Sequence, residues 1–381
     1  MSPDAPRFAM VAGEASGDLL AGSLLTSLRA RWPRLVAEGI GGPRMGERGF
    51  VAWWPHDKLS VRGYFEVLGH FREILAIRNQ LVERLLANKP DAFVGVDAPD
   101  FNLGVETRLR AAGVKTIHFV SPSIWAWRGN RIEGIGRATD LVLCIFPFEP
   151  EIYAKRGINA VYVGHPLASA IPFEVPHAAA RATLGIGGEE TMVALLPGSR
   201  RSEVHYIAPR LFGAAAEMSR ARPGLRFVVP LVPGLRNAVE ALRKQHAPDV
   251  GITLVDGRAH EALAACDVAI VASGTATLEA ALFKRPMVVV YVMHFLSWQM
   301  GKVMHYQPWI SLPNILLRDH AVPELLQGAA TPAKIAAAAF KWLDDSAAAE
   351  SLRVRFEGIH RALKRDTGAL ATAAVESVLA A

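Results

Sequence analysis

Short apolar bursts, each running into a turn and then into a helix-forming stretch, recur from one end of the chain to the other. In the first part they fall near 7–12, 35–40, 92–96, 115–120, 140–146 and 161–164. In the second they fall near 191–196, 226–231, 252–255, 267–272 and 286–292. Runs of that length and apolarity suit buried strands, and helices between successive strands require those strands to run parallel. The pattern predicts an α/β fold with two Rossmann-like, doubly wound domains. The length of 381 residues agrees with two domains of ordinary size. The first strand run of the second series at 191–196 places the boundary after Gly164-His165-Pro166. The predicted domains are 1–168 and 169–359, with a last helix over about 360–381.

The turns that follow the strands carry the chemistry. Ser273-Gly274-Thr275-Ala276-Thr277-Leu278-Glu279 follows the run 267–272 and opens a helix. Gly274 allows a close backbone approach, and Thr275 and Thr277 place hydroxyls beside the free N–H groups of the first turn. That end of a helix attracts phosphate. Glu279 lies four residues after Thr275 and so shares its face. A carboxylate there repels phosphate but accepts a pair of hydroxyls, as ribose would offer. An ordinary strand-to-helix turn explains the segment equally well. Pro197-Gly198-Ser199-Arg200 is a second such turn, with Arg200 able to fork onto a phosphate.

The first half has its own turns. Gly13-Glu14-Ala15-Ser16-Gly17-Asp18 lacks the three-glycine spacing of a dinucleotide fingerprint. Its two carboxylates and serine suit sugar hydroxyls. Alternatively Ser16 caps the next helix and Asp18 faces its dipole, which leaves Glu14 unexplained. Asp97 directly ends the run 92–96, where ligands gather in open α/β sheets, and is a candidate general base. Asp100 and Asn102 read as turn residues. Trp125 and Trp127 either line a sugar or acyl pocket or fill space under a loop. Asn314, in Ile310-Ser311-Leu312-Pro313-Asn314, reaches a ligand or shapes a turn. Apolar residues at Val67, Leu68, Phe71, Ile74 and Leu75 form one helical stripe with Arg62, His70, Arg72 and Arg78 nearby. Such a stripe faces a core or lies on a membrane.

Totals exclude some classes. No window approaches 18 uninterrupted apolar residues, so no spanning helix is expected. The start of the chain lacks the pattern of a cleaved signal. Cys144 and Cys266 sit in apolar runs without metal spacing, as in a reduced, cytoplasmic protein. A formal charge of +6 fits an anionic substrate, membrane or nucleic acid and does not choose among them.

Taken together and in order, these motifs resemble those of the lipid-A-disaccharide synthases, the membrane-associated glycosyltransferases of Gram-negative outer-membrane biosynthesis. The resemblance rests on the 12–18 loop, Gly42-Pro43-Arg44-Met45, Gly63 through Gly69, Asp97 through Asn102, Ser121 through Arg128, and Gly136 through Asp140. It continues in Leu196 through Arg200, Ala272 through Ala276 with Glu279, and Ser311 through Asn314. It implies a GT-B type glycosyltransferase fold with a cleft between the halves. The implied reaction joins UDP-2,3-diacylglucosamine to 2,3-diacylglucosamine 1-phosphate (lipid X), with inversion and release of UDP. It needs no metal or other cofactor, and nucleic acid has no part in it. Asp97 matches the catalytic aspartate, and Glu14 and Ser16 match the N-terminal site loop. Ser199, Arg200, Ser273, Gly274, Thr275, Ala276, Thr277, Glu279 and Asn314 match donor-binding segments. The stripe Phe65, Val67, Leu68, Phe71, Ile74 and Leu75 is then expected to touch the phospholipid surface. The enzyme would sit in the cytoplasm, peripheral on the inner face of the inner membrane. Its last helices either return to the first domain or join a partner subunit in a homodimer. A transferase for a soluble UDP-sugar, and a binding protein without turnover, remain the alternatives.

Overall fold

The computed structural model describes residues 5–59, 64–126, 129–294, 298 and 308–381, without the side chains at 15, 57 and 64–71. The chain divides into two compact units, Met1–Pro166 with Leu363–Ala381, and Leu167–Ala362.

The first unit is built on a parallel sheet of β1 (Arg7–Ala12), β2 (Val36–Gly41), β3 (Val51–Pro55), β4 (Ala92–Val96), β5 (Lys115–Phe119), β6 (Leu141–Cys144) and β7 (Ala160–Tyr162). Among the described residues its order is β3-β2-β1-β4-β5-β6-β7. Composition follows position in the sheet. The central β4 reads Ala-Phe-Val-Gly-Val and is buried throughout, whereas the edge strand β3 shows residues to solvent. Central strands covered on both faces need continuous apolar runs; edge strands do not. That is why β3, with Trp53 and Trp54 only half-buried, escapes a search for apolar bursts.

The second unit repeats the plan with β8 (Met192–Leu196), β9 (Arg226–Leu231), β10 (Ile252–Asp256), β11 (Val268–Ala272), β12 (Met287–Tyr291) and β13 (Glu324–Leu326). Its order is β10-β9-β8-β11-β12-β13, again parallel. One of its cores joins a single face of the sheet, through alternate strand residues, to the helices Arg201–Ala221 and Pro332–Asp344. Cys144 and Cys266 are buried free thiols.

Each sheet has one place where strand order reverses. In the first it lies between β1 and β4; in the second it lies between β8 and β11. Outside the carboxyl ends of those strands the flanking loops diverge and leave a crevice. The loops at these two reversals begin at Gly13 and Asp97, and at Pro197 and Ser273.

Four helices matter for the first unit: α1 (Ala15–Arg31), α2 (Pro43–Gly46), α3 (Tyr64–Ala87) and α4 (Pro99–Ala111). The helix Thr367–Ala380 packs on α1, and Arg31 ion-pairs with Glu376. The end of the chain thus completes the unit that its beginning started. No helix among the described residues is long and apolar enough to cross a membrane.

Candidate functional site

The first-unit reversal brings Glu14 and Asp97 to one edge. Val96 is in register with Ala12. A Cβ placed on Gly13 would lie 3.3 Å from the Ala98 Cβ, so the two loops run side by side. Glu14 is exposed and stands at the N-cap of α1 without bonding through its side chain. Asp97 is half-buried, and its N–H donates to the Phe119 carbonyl at 2.8 Å.

The rest of the first loop differs from expectation. The helix starts at Ala15, so Ser16 lies inside its first turn and is not the cap. Its exposed hydroxyl remains open to a ligand. Asp18 is not a sugar ligand: it is 2% exposed. Its carboxylate accepts from Gly42 N at 2.9 Å, Arg44 N at 2.9 Å and Met45 N at 3.1 Å. It thereby caps α2, whose first N–H groups have no partner in so short a helix. Arg44 is exposed and pairs with Glu47 at 3.5 Å.

The loops after β5, β6 and β7 carry a buried cluster around Glu149, a residue that the sequence did not single out. Trp125 donates through Nε1 to Glu149 at 3.1 Å, and packs edge-on against Phe146 and Phe148. Trp125 is therefore a packed residue; Trp127 and Arg128 lie outside the described residues. Glu149 also accepts from Ile145 N at 3.1 Å and Phe146 N at 2.9 Å. Burial pushes its carboxyl up to about 7 despite these donors. His165, whose ring lies 5.3 Å from that of Phe146, is pushed down to about 4 by burial.

A pH prediction follows from Glu149. Between 4.5 and about 7 the folded state holds a proton there that the unfolded state releases. Its contribution is fully present below pH 4.5 and is lost as pH rises through about 7. The loss is on the order of 3 kcal/mol. Glu149→Gln removes that titration. Thermal unfolding across this range should show the variant gaining on the parent as pH rises. A constant difference between the two midpoints would exclude the effect. His165 slopes oppositely, losing stability as pH falls from 6.5 toward about 4, in both proteins alike.

In the second unit the reversal gathers the turn 197–200 and the turn 273–279. Gly274, at φ 144°, caps the helix Thr275–Leu282 in a conformation open to glycine alone. Gly274 and Thr275 are exposed, and Ser273, Ala276 and Glu279 are half-buried. Glu279 meets His260 Nε2 at 3.3 Å, and that carboxylate raises the His260 pKa. Sequence reasoning missed His260, which comes from a different helix.

Two donor-site candidates do not present their side chains. Thr277 is fully buried; its hydroxyl donates to the Gly274 carbonyl at 2.8 Å and accepts from Leu312 N at 3.3 Å. Asn314 is fully buried as well. Its amide donates to the Val322 carbonyl at 2.9 Å and to Glu324 at 2.8 Å, while its oxygen accepts from Val322 N at 2.9 Å. With every polar atom engaged, the Asn314 side chain shapes the turn. Glu324 further accepts from Ile310 N and from Ser311, and Ser273 donates to the Ile310 carbonyl at 3.1 Å. The turn 310–314 is thus stitched to the 273–279 turn from behind.

Arg200 is exposed at the N-cap of the helix Arg201–Ala221. Its guanidinium meets Glu203 at 2.7 Å, and Glu203 also accepts from Ser199 N at 2.8 Å and Arg200 N at 3.1 Å. The turn holds a carboxylate of its own where an anion would be received.

Of the apolar stripe on α3, Phe65, Val67, Leu68 and Phe71 lie outside the described side chains. Leu75 is half-buried. Ile74 is also half-buried and packs against the core of the first unit.

The family model described as Lipid-A-disaccharide synthetase matches residues 8–378. A lipid-A-disaccharide synthase of Albidiferax ferrireducens is 54% identical over 97% of each chain. One of Verminephrobacter eiseniae is 52% identical over 98% of this chain and 97% of its own. Among solved structures, a UDP-GlcNAc 2-epimerase from Neisseria meningitidis has TM-score 0.66 at 11% identity, over 98% of this chain and all 100% of that one. MurG of Acinetobacter baumannii has TM-score 0.58 at 14% identity, over 98% and 100%. At such identities the structures share the fold, that of two parallel-sheet α/β units of the GT-B type.

Proposed function

Because the chain belongs to the lipid-A-disaccharide synthase family, we propose a division of labour among its residues for one displacement. The chain is a glycosyltransferase of lipid A disaccharide formation. The donor is UDP-2,3-diacylglucosamine and the acceptor is 2,3-diacylglucosamine 1-phosphate. The acceptor 6-hydroxyl oxygen attacks the donor anomeric carbon from the face opposite UDP. The bond to the diphosphate oxygen breaks, UDP leaves with the electron pair, and the configuration inverts. Asp97 takes the hydroxyl proton. Glu14, with Ser16 beside it, positions sugar hydroxyls. Thr275 and the free N–H groups near it meet diphosphate oxygens, and Arg200 turns from Glu203 to the same charge. Glu279 accepts from the ribose diol through the oxygen that His260 leaves free.

The observation that carries this reading is the coincidence of candidates with strand-order reversals. Glu14 and Asp97 fall at one, Arg200 and Thr275 at the other. A mass-spectrometric assay with the two acylated substrates tests it. The expected products are the disaccharide 1-phosphate and UDP. UDP release with non-acylated sugars alone would reject the acylated substrates in favour of a soluble UDP-sugar.

The acceptor carries acyl chains and must be taken from a lipid surface. Contact through Phe65, Val67, Leu68, Phe71 and Leu75, with Arg72 and Arg78 near phosphates, would seat the enzyme on the cytoplasmic face of the inner membrane. Serine at Val67, Leu68 and Phe71 together is expected to lower cosedimentation with anionic vesicles about fivefold or more. The thermal midpoint should stay in place. A collapsed midpoint would assign the stripe to the core.

A further inference from the structure

Asp97 and Ala98 both occupy left-handed backbone conformations, at φ 53° and 42°. Two consecutive residues with side chains in that region are costly and need support. The support comes from Asn102, one turn into α4. Its Nδ2 donates to the Asp97 carbonyl at 2.8 Å and faces the Val96 carbonyl at 3.4 Å. Asn102 is fully buried, so water does not compete for these bonds.

A second buried polar pair lies beside Asn102. Glu106 lies on the same face of α4, is fully buried, and sits 2.8 Å from Nδ1 of the equally buried His118 on β5. The strand beneath is cut to fit. A Cβ on Gly95 would lie 2.2 Å from Glu106 Oε1 and 2.9 Å from the Asn102 Cβ. Only glycine lets both side chains rest on β4. Among the described residues, Asn102 Oδ1, Glu106 Oε2 and His118 Nε2 have no hydrogen-bond partner. Such a buried group is a poor way to stabilise a sheet, because apolar residues would pack there at lower cost. Of the three side chains, Asn102 is the one shown bonding to the turn that carries Asp97.

We infer that Asn102 is a positioning residue for glycosyl transfer: it locks the Asp97–Ala98 turn and so aims the Asp97 carboxylate. This rests on Asp97 being the base. Rigid aim matters because a small misplacement of a reacting group costs orders of magnitude in rate.

The test measures kcat, KM and thermal midpoint in the disaccharide assay. Asn102→Ala is expected to lower kcat by roughly 30- to 100-fold with KM for both substrates nearly unchanged. Asn102→Asp keeps the shape but donates only when protonated. Its kcat relative to the parent should therefore rise as pH falls. A flat ratio, or unchanged kcat in Asn102→Ala, overturns the inference. Should Asn102→Ala fail to fold, Ala98→Gly decides. Glycine accepts the φ of 42°, so the midpoint should hold or rise. The loosened turn should still cost about tenfold in kcat; unchanged kcat overturns the inference. Full activity in Asp97→Asn would overturn the base assignment and this inference with it. An inactive Asp97→Asn beside a fully active Asn102→Ala overturns the inference alone.

Discussion

Asp97→Asn is expected to lower kcat by roughly 100- to 10,000-fold, the range that a positioned general base supplies. The argument is one of geometry and charge. Asp97 stands at the carboxyl end of a fully buried strand, half open to solvent, on the reversal of the first sheet. Asparagine keeps its shape and the backbone bond from Asp97 N to Phe119. It cannot accept a proton from the 6-hydroxyl. Ground-state contacts are retained, so KM moves little and the loss falls on kcat. UDP binding, assigned to the second unit, stays within about twofold. Steady-state kinetics with both acylated substrates and calorimetric titration of UDP check the two halves. Turnover near the parent rate would remove Asp97 from the chemistry.

The second large effect separates two acids of one loop. Asp18→Ala leaves the N–H groups of Gly42, Arg44 and Met45 without their acceptor in a buried corner. Losing charge-assisted bonds to three donors costs roughly 3–5 kcal/mol. The expected midpoint drop is on the order of 10 °C. Glu14→Ala removes an exposed carboxylate with no capping bond. It should change stability by less than about 0.5 kcal/mol, yet lower activity about tenfold or more if Glu14 positions a hydroxyl. Thermal unfolding and kinetics on the two variants give opposite patterns. Equal stability losses would erase the distinction.

That contrast also shows what the sequence made legible. The central strands stood out because burial on both faces demands unbroken apolar runs. Of the edge strands, β7 and β10 still kept readable apolar runs, whereas β3, with Trp53 and Trp54 in place of aliphatic residues, and β13, three residues beginning with Glu324, did not. Asp97 was readable because it directly ends such a run. For Thr277 and Asn314 the sequence left two roles open for one common reason. A threonine or asparagine in a turn offers the same donors to a ligand or to its own backbone. The partners that decide, Leu312 for one and Val322 with Glu324 for the other, are brought in by the fold. Asp18 looked like a sugar ligand because its partners at 42–45 lie on another loop. Glu149 and His165 carry no motif; their altered proton affinities arise from burial.

The return of the helix Thr367–Ala380 to α1 has a consequence for biosynthesis on the ribosome. The second unit is one unbroken stretch, Leu167–Ala362, and all of it emerges before the last helix does. The first unit leaves the exit tunnel earlier, yet it waits for Leu363–Ala381 to cover the apolar side of α1. The amino-terminal unit therefore closes only after the whole of the second unit has been made, and the face of α1 that the last helix covers stays bare until then.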